Sequence, residues 1–530
     1  MVARAAAAEL PAKRNELYKT LPNNCASSWW RDPGLRRLNL GILLVFASAT
    51  ANGFDGSLLN GLLAIPRFQA DVVNRVDTST LGLIIAAISL GGLPALIPAG
   101  YVSDKYGRKR CLWIGTIIII ATAIVQALTS GPWLFLAFRL FMGVGIAFVL
   151  IPAPALSTEV AHPRNRAAVS ACFQTAFYWG SIVSACATLG GLYIPSSWAW
   201  RMPVMLQVLF PAAQIVGLFI IPESPRWMIA NGQKEKAFYV LARYHANGDT
   251  SDPLVNFEYH EICQTIKSEA MAANESSWKE FFRTKGNRHR FIICILVGIM
   301  IQWAGNGIVS YYLAPILRSV GITDPVAEAG INLGLQVWNA GMAVAGAFAC
   351  DRYGRRPLWL TSAIGMLFSL SVVTALSAVY AESSNKAAGT AVIPMLFVFF
   401  GFYDIAFTPL SYAYPVEILP FKLRSRGLSV TLTTVFGAGF FNQYVNPIAL
   451  ARLHYKFYFV YIGCLISFIF IIWFVFPETK GRSLEEIAEV FDGPAETEII
   501  RRASIAASVT GCSPNIVYEV HDRSKFDKPG

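Results

Sequence analysis

Apolar residues run along this chain in long blocks separated by short polar connections. Twelve blocks cover approximately residues 38–62, 81–102, 111–129, 133–152, 167–190, 204–222, 291–314, 331–350, 357–380, 390–414, 427–448 and 455–476. A hydrocarbon layer about 30 Å thick needs about 20 helical residues to cross it, so each block is long enough to span. The pattern predicts an all-α membrane protein with twelve transmembrane helices. The polar stretch 223–290 divides the blocks six and six. It carries charge and helical periodicity (Glu261, Ile262, Ile266, Lys267) but no spanning block, and reads as short helices linking two halves. The predicted organisation is an N-terminal tail 1–37, a six-helix half 38–222, the linker 223–290, a second six-helix half 291–476 and a C-terminal tail 477–530. Both tails read as mobile.

Composition agrees. Of 530 residues, 54% are hydrophobic and 15% charged, against roughly 25% charged in soluble proteins. This excludes a disordered chain, a collagen, a disulfide mini-scaffold and an ordinary soluble enzyme. The net charge of +11 does not indicate nucleic acid, because the basic residues sit between the blocks. On the side of the termini the connections hold 36 Lys and Arg, on the other side seven. That asymmetry puts both termini in the cytoplasm. One basic residue, Arg139, lies inside a block. The Ala run at 3–8 is too short for a signal peptide and is followed by Lys13, Arg14 and Lys19; the first block reads as a membrane anchor.

Other chemistries find no support. The nine cysteines contain no Cys-x-x-Cys and the six histidines no metal-ligand spacing, so no metal and no cofactor is expected. No glycine loop leading to Lys-Ser/Thr cradles a phosphate, which excludes an ATP-driven pump. Gly143 and Gly145 lie in a span and let helices approach. The sequon Asn274-Glu-Ser276 falls in the cytoplasmic linker, where it stays unmodified.

The two halves repeat each other. Asp104-Lys-Tyr-Gly107-Arg108-Lys109 recurs as Asp351-Arg-Tyr-Gly354-Arg355-Arg356. Glu159 followed by Arg166 recurs as Glu417 followed by Arg426, and Pro222-Glu223-Ser224-Pro225-Arg226 recurs loosely as Pro477-Glu478-Thr479-Lys480-Gly481-Arg482. Parallel six-helix repeats are a transporter architecture with the cargo site where the halves meet.

Over roughly residues 38–490 these motifs resemble the sugar porter family of the major facilitator superfamily. Three strings, Asn52-Gly-Phe-Asp55-Gly-Ser-Leu-Leu-Asn60-Gly, Gln302-Trp303-Ala-Gly-Asn306-Gly and Asn442-Gln-Tyr-Val-Asn446-Pro-Ile-Ala-Leu, are similar to its fungal lactose permease and cellodextrin branch. The resemblance implies a major facilitator fold of two pseudo-symmetric halves. It also implies a multi-pass plasma-membrane protein, acting as a monomer, whose partners are a sugar, a proton and the bilayer. The sugar is a disaccharide or a hexose. Facilitative uniport of a sugar or polyol, and a sugar sensor that transports little, are the alternatives.

An amide inside a span carries donors and an acceptor, which suits sugar hydroxyls, and it is costly unless used. The alternative use is hydrogen bonding between helices. By resemblance Gln174, eight residues after Arg166, and Gln302 are sugar-binding. Asn306 is displaced by one position from the family's amide, and a one-residue shift turns a helical side chain by about 100°. Asn339, Tyr412 (where the family often has Trp), Tyr311 and Asn442 complete the candidate pocket; Trp303 reads as packing. Asp55 and Arg139, both inside spans, match positions that pair in proton-coupled members. Each alone costs about 2.5–3.5 kcal/mol at the bilayer centre. A carboxylate holds its proton when desolvated alone and releases it beside a guanidinium. Separation of the pair thus lets Asp55 take a proton outside, and its re-formation releases it inside. Asp104, Arg108, Glu159, Arg166, Glu223 and Arg226 in one half, and Asp351, Arg355, Glu417, Arg426 and Glu478 in the other, are expected to form cytoplasmic charge networks that gate alternating access.

Overall fold

The computed structural model describes residues 18, 20–26, 29–129, 131–275, 278–480, 487 and 490–492. The first half contains α1 (Pro33–Ala64), α2 (Thr78–Tyr106), α3 (Arg108–Leu128), α4 (Pro132–Leu150), α5 (Arg166–Gly191) and α6, which comes in two pieces, Trp198–Leu206 and Leu209–Ile220. The second contains α7, also in two pieces (Lys285–Trp303 and Asn306–Ser319), then α8 (Pro325–Tyr353), α9 (Arg355–Ser383), α10 (Lys386–Ile418), α11 (Phe421–Leu453) and α12 (Tyr458–Val475). Among the described residues ten stretches pass as spans on length and apolarity, one of them, Arg426–Val475, running from within α11 through α12. The remaining helix, α5, is rich in Ser, Thr, Ala and Gly. It packs against α1 and α8, so it is enclosed by protein on the sides where a lipid-facing helix would need apolar bulk.

Local chemistry sets the ends and the breaks. Asp32 accepts from Leu35 N at 2.9 Å ahead of Pro33, and Asp324 accepts from Ala327 N at 3.0 Å ahead of Pro325. Both are N-caps followed by a proline that needs no donor. In α6, Pro211 has no N–H to give the Gln207 carbonyl, and the helix breaks at Gln207 and Val208. In α7 the break falls at Ala304 and Gly305, where Gly305 has φ +100°, a conformation a side chain resists.

Four helices, Pro225–Ala230, Lys234–His245, Pro253–Glu275 and Glu280–Arg283, lie in the linker. The described parts of the tails are docked, contrary to the expectation of mobility. Asn24 N donates to Asp252 Oδ2 at 2.7 Å, and Arg164 donates to the Tyr18 and Leu21 carbonyls at 3.0 and 2.8 Å. At the other terminus Arg290 forks onto Asp492 at 3.0 and 2.8 Å. These contacts depend on surfaces distant in sequence, which composition does not reveal.

The halves join at mid-depth and at the end far from the linker. At that far end Asn60 of α1 accepts from Leu313 N at 3.0 Å and donates to Asn332 Oδ1 at 3.1 Å, while Arg318 donates to Leu63 O at 3.3 Å. Tyr312 and Ala314 of α7 are buried in the core of the first half, beside residues such as Leu62 and Phe68. Nearer the middle, Ser89 of α2 donates to Gln443 Oε1 of α11 at 3.1 Å.

Candidate functional site

Asp55 lies two-thirds of the way along α1 and is 5% exposed. Gln207, sitting at the proline-induced break in α6, donates through Nε2 to Asp55 Oδ1, and its own Oε1 finds no donor among the described residues. Arg139 of α4 is buried, donates through Nε to Ile84 O at 3.1 Å, and lies 5.9 Å from the centre of the Phe135 ring. Its charge acts on Asp55. The structure thus brings both predicted ionisable groups into one enclosed region, with an amide as the direct hydrogen-bond donor to the acid. Sequence reasoning missed Gln207; the signal was an amide four residues before a proline inside an apolar block.

The break in α7 organises the amides. It frees carbonyls at the end of the first piece, and these need partners. Tyr403 Oη donates to Ile301 O at 3.0 Å and Asn442 Nδ2 to Gln302 O at 2.5 Å. Asn442 Oδ1 accepts from Tyr461 at 2.5 Å, so its amide is engaged at both ends within the protein. Trp303 donates to Ala438 O at 3.1 Å. Asn306 opens the second piece, and its buried Oδ1 has no partner among the described residues. The Gln302 side chain lies beside Gly439 of α11. Tyr412 is half-buried on α10. Gln174 is on α5 and Tyr311 on the second piece of α7; their side chains, and that of Asp351 at the end of α8, lie outside the described residues.

A second acid, Asp404 of α10, is 2% exposed and was not foreseen. Tyr178 of α5 donates to its Oδ1 at 2.8 Å, as does Thr408 at 2.8 Å. With its amide nitrogen turned inward, Asn339 of α8 donates to Asp404 Oδ2 at 3.3 Å and to Leu335 O at 3.0 Å. The rule that flags Asp55, an ionisable residue inside a span, flags Asp404 equally.

At the linker end the repeated motifs build repeated structures. Arg108 pairs with Asp104 at 3.1 Å and Glu159 at 3.5 Å, and Arg355 with Glu417 at 2.9 Å. Ser224 donates to Glu159 at 2.5 Å and Thr479 to Glu417 at 2.6 Å. Glu223 accepts from Lys109 N at 3.1 Å, and Glu478 from Arg355 N and Arg356 N, both at 3.0 Å. A carboxylate thus caps the N-terminus of α3 and of α9. The motif glycines follow from this: Gly107 and Gly354 have φ +107° and +96°, and a Cβ would meet the capping carboxylate at 2.4 and 2.9 Å. The two caps differ in charge balance. Burial outweighs the backbone donors and raises the Glu223 pKa, whereas four backbone N–H groups outweigh burial and hold Glu478 low. Arg226 opens the helix Pro225–Ala230, and Arg426 lies 5.9 Å from the Trp278 ring centre.

Arg166 reaches the linker. It donates to Glu258 at 2.6 Å, and Glu258 also bonds His245 Nδ1 at 2.7 Å. Burial pushes Glu258 up, but His245 and Arg166 outweigh it and hold it low. His162 packs against His245 with ring centres 5.2 Å apart, and its Nε2 has no partner among the described residues. Burial, then the charge of His245, lowers the His162 pKa from 6.5 to about 3. A depressed histidine favours the folded state above its unfolded pKa, and that advantage erodes as pH falls from about 6.5 towards about 3. Lowering pH from 7 to 5 should therefore cost about 2 kcal/mol through this residue alone. His162→Gln should flatten the pH dependence of the unfolding midpoint over that range; an unchanged slope would exclude His162 as its source.

The sequence profile of the family described as "Sugar (and other) transporter" matches residues 40–491. The chain is similar to the MFS-type transporter criB of Aspergillus cristatus, 27% identical over 460 residues covering 86% of this chain and 94% of the relative. It is also similar to hexose transporter 2 of Kluyveromyces lactis, 26% identical over 503 residues covering 92% and 85%. Among solved structures, the inward open conformation of the xylose transporter XylE from E. coli superposes with a TM-score of 0.70 at 20% identity, covering 85% of this chain and 99% of the other. These likenesses fit the twelve-helix, two-half architecture and exclude the enzyme classes that the sequence already disfavours. The chain belongs to the sugar porter family of the major facilitator superfamily.

Proposed function

We propose that this transporter imports a sugar, a disaccharide or a hexose, together with a proton by alternating access across the plasma membrane. Both termini face the cytoplasm and the protein works as a monomer, since one chain supplies both halves. The carrying observation is the buried Asp55 held by Gln207 within reach of the Arg139 charge. An acid that a neutral amide can hold in either protonation state is suited to taking up and releasing a proton. The excess of Lys and Arg on the linker side supports the orientation. Contacts between halves at the far end, with the Arg108 and Arg355 networks each inside its own half, support a state open towards the linker.

Cargo is read by Gln174, Gln302, Asn306, Asn339 and Tyr412, with Tyr311 on α7. Asn306 Oδ1, buried and without a partner among the described residues, is an acceptor ready for a hydroxyl. Asn442 braces the break, leaving its neighbours to the cargo. One proton moving inward through 100 mV supplies about 2.3 kcal/mol, roughly fiftyfold accumulation at one proton per sugar. The test is an uptake panel of lactose, cellobiose, glucose, xylose and glycerol in transporter-null cells with external pH recorded. Sugar-dependent alkalinisation is expected. Uptake indifferent to a collapsed pH gradient would make the protein a uniporter, and absence of uptake would favour a sensor. Gln174→Ala should raise the half-saturation concentration of the transported sugar several-fold; an unchanged value would remove Gln174 from the pocket.

A further inference from the structure

Asp404 differs from Asp55 in its surroundings. Its contacts among the described residues are hydroxyls and an amide: Tyr178 and Thr408 on one oxygen, Asn339 on the other. Two of the three belong to its own half and travel with it. Tyr178 belongs to α5, so its bond crosses between the halves, near mid-depth on both helices. The phenol is also within 3.1 Å of Thr408 Oγ1. One hydroxyl therefore gives its proton to a carboxylate and stands beside a second hydroxyl, the pattern a sugar hydroxyl would make in the same place. The neighbourhood is that of the candidate pocket. Tyr178 is four residues after Gln174 on α5, Tyr412 lies about two turns beyond Asp404 on α10, and Asn339 touches Asp404 directly.

We propose that Tyr178 is a placeholder for cargo. In the empty carrier its hydroxyl occupies Asp404 and ties the halves together; a sugar hydroxyl takes its place on Asp404 and releases the tie. This deepens the proposed function and rests on the central region being the cargo pocket. Tyr178 is on this view a positioning residue that sets how much affinity cargo must give up on entry. It makes no covalent step and moves no proton to solvent.

Two measurements test it separately. The first needs no cargo. In purified empty protein, Tyr178→Phe should lower the unfolding midpoint, and the loss should vanish when combined with Asp404→Leu. If Asp404→Leu fails to fold, Asp404→Asn, which keeps the side-chain shape, should shrink the loss. Additive losses would overturn the tie. The second is uptake of labelled glucose and lactose. Because cargo no longer displaces the phenol, Tyr178→Phe should lower the half-saturation concentration roughly three- to tenfold, a share of a charge-assisted hydrogen bond. A raised value would make Tyr178 an ordinary cargo contact, and an unchanged one would detach it from cargo; either overturns the proposal. If the unsubstituted protein takes up neither sugar, the cargo reading falls while the stability cycle still decides the tie.

Discussion

Asp55→Asn should abolish accumulation of sugar against its gradient while leaving exchange between equal pools intact. The substitution preserves volume, and an Asn carbonyl can still accept the hydrogen bond that Gln207 donates, so the local frame survives. What is lost is the ability to carry a proton. A transporter that binds and turns but cannot be protonated still equilibrates its cargo. The variant removes a charge that interacts with Arg139, so the amount of protein in the membrane should be measured alongside. Asp55→Glu keeps the acid on a longer arm and should retain partial accumulation, which separates lost coupling from lost folding. Normal concentrative uptake by Asp55→Asn would place coupling elsewhere.

The second large effect is expected at Asn60. Its amide, 3% exposed, serves two elements of the opposite half at once. One is available because Tyr312 departs from helical geometry, with φ −135° and ψ 27°, which turns the following N–H of Leu313 towards α1. Asn60→Ala leaves that buried N–H unsatisfied, which costs about 1–3 kcal/mol, and only while the far end is closed. The balance should shift towards the outward-open state by a factor of roughly 5 to 150. Spin labels at Asn74 and Ser384, on far-end connections of opposite halves, should report a new population at longer distance. An unchanged distance distribution would remove Asn60 from the gate.

Much of this molecule was legible from residue order. The spans, the division by the linker and the duplicated motifs were read from block length and spacing, and the glycines in Gly107-Arg108 and Gly354-Arg355 have their reason in the carboxylates seated against them. Roles that depend on pairing across the fold were less accessible. Asp55 and Arg139 were matched because opposite charges in lipid need each other, yet the donor on the acid is Gln207, 152 positions away, and local periodicity carries no trace of that meeting. Arg166 was assigned to a network with Glu159, whereas its bond at 2.6 Å goes to Glu258 in the linker. Asp404 was readable by the rule applied to Asp55 and was hidden by the strongly apolar residues around it. Asn442 was read as a cargo contact because amides in spans invite that reading; the break in α7 supplies it with a different occupation.

The capping carboxylates of Glu223 and Glu478 each stand just after the last helix of a half and close on the third helix of that same half. Each six-helix unit is therefore buckled onto itself at the linker end, its last helix to its third. Two self-fastened bodies of this kind can swing against one another as solids, and the chain between them has only to be long enough to serve as a tether.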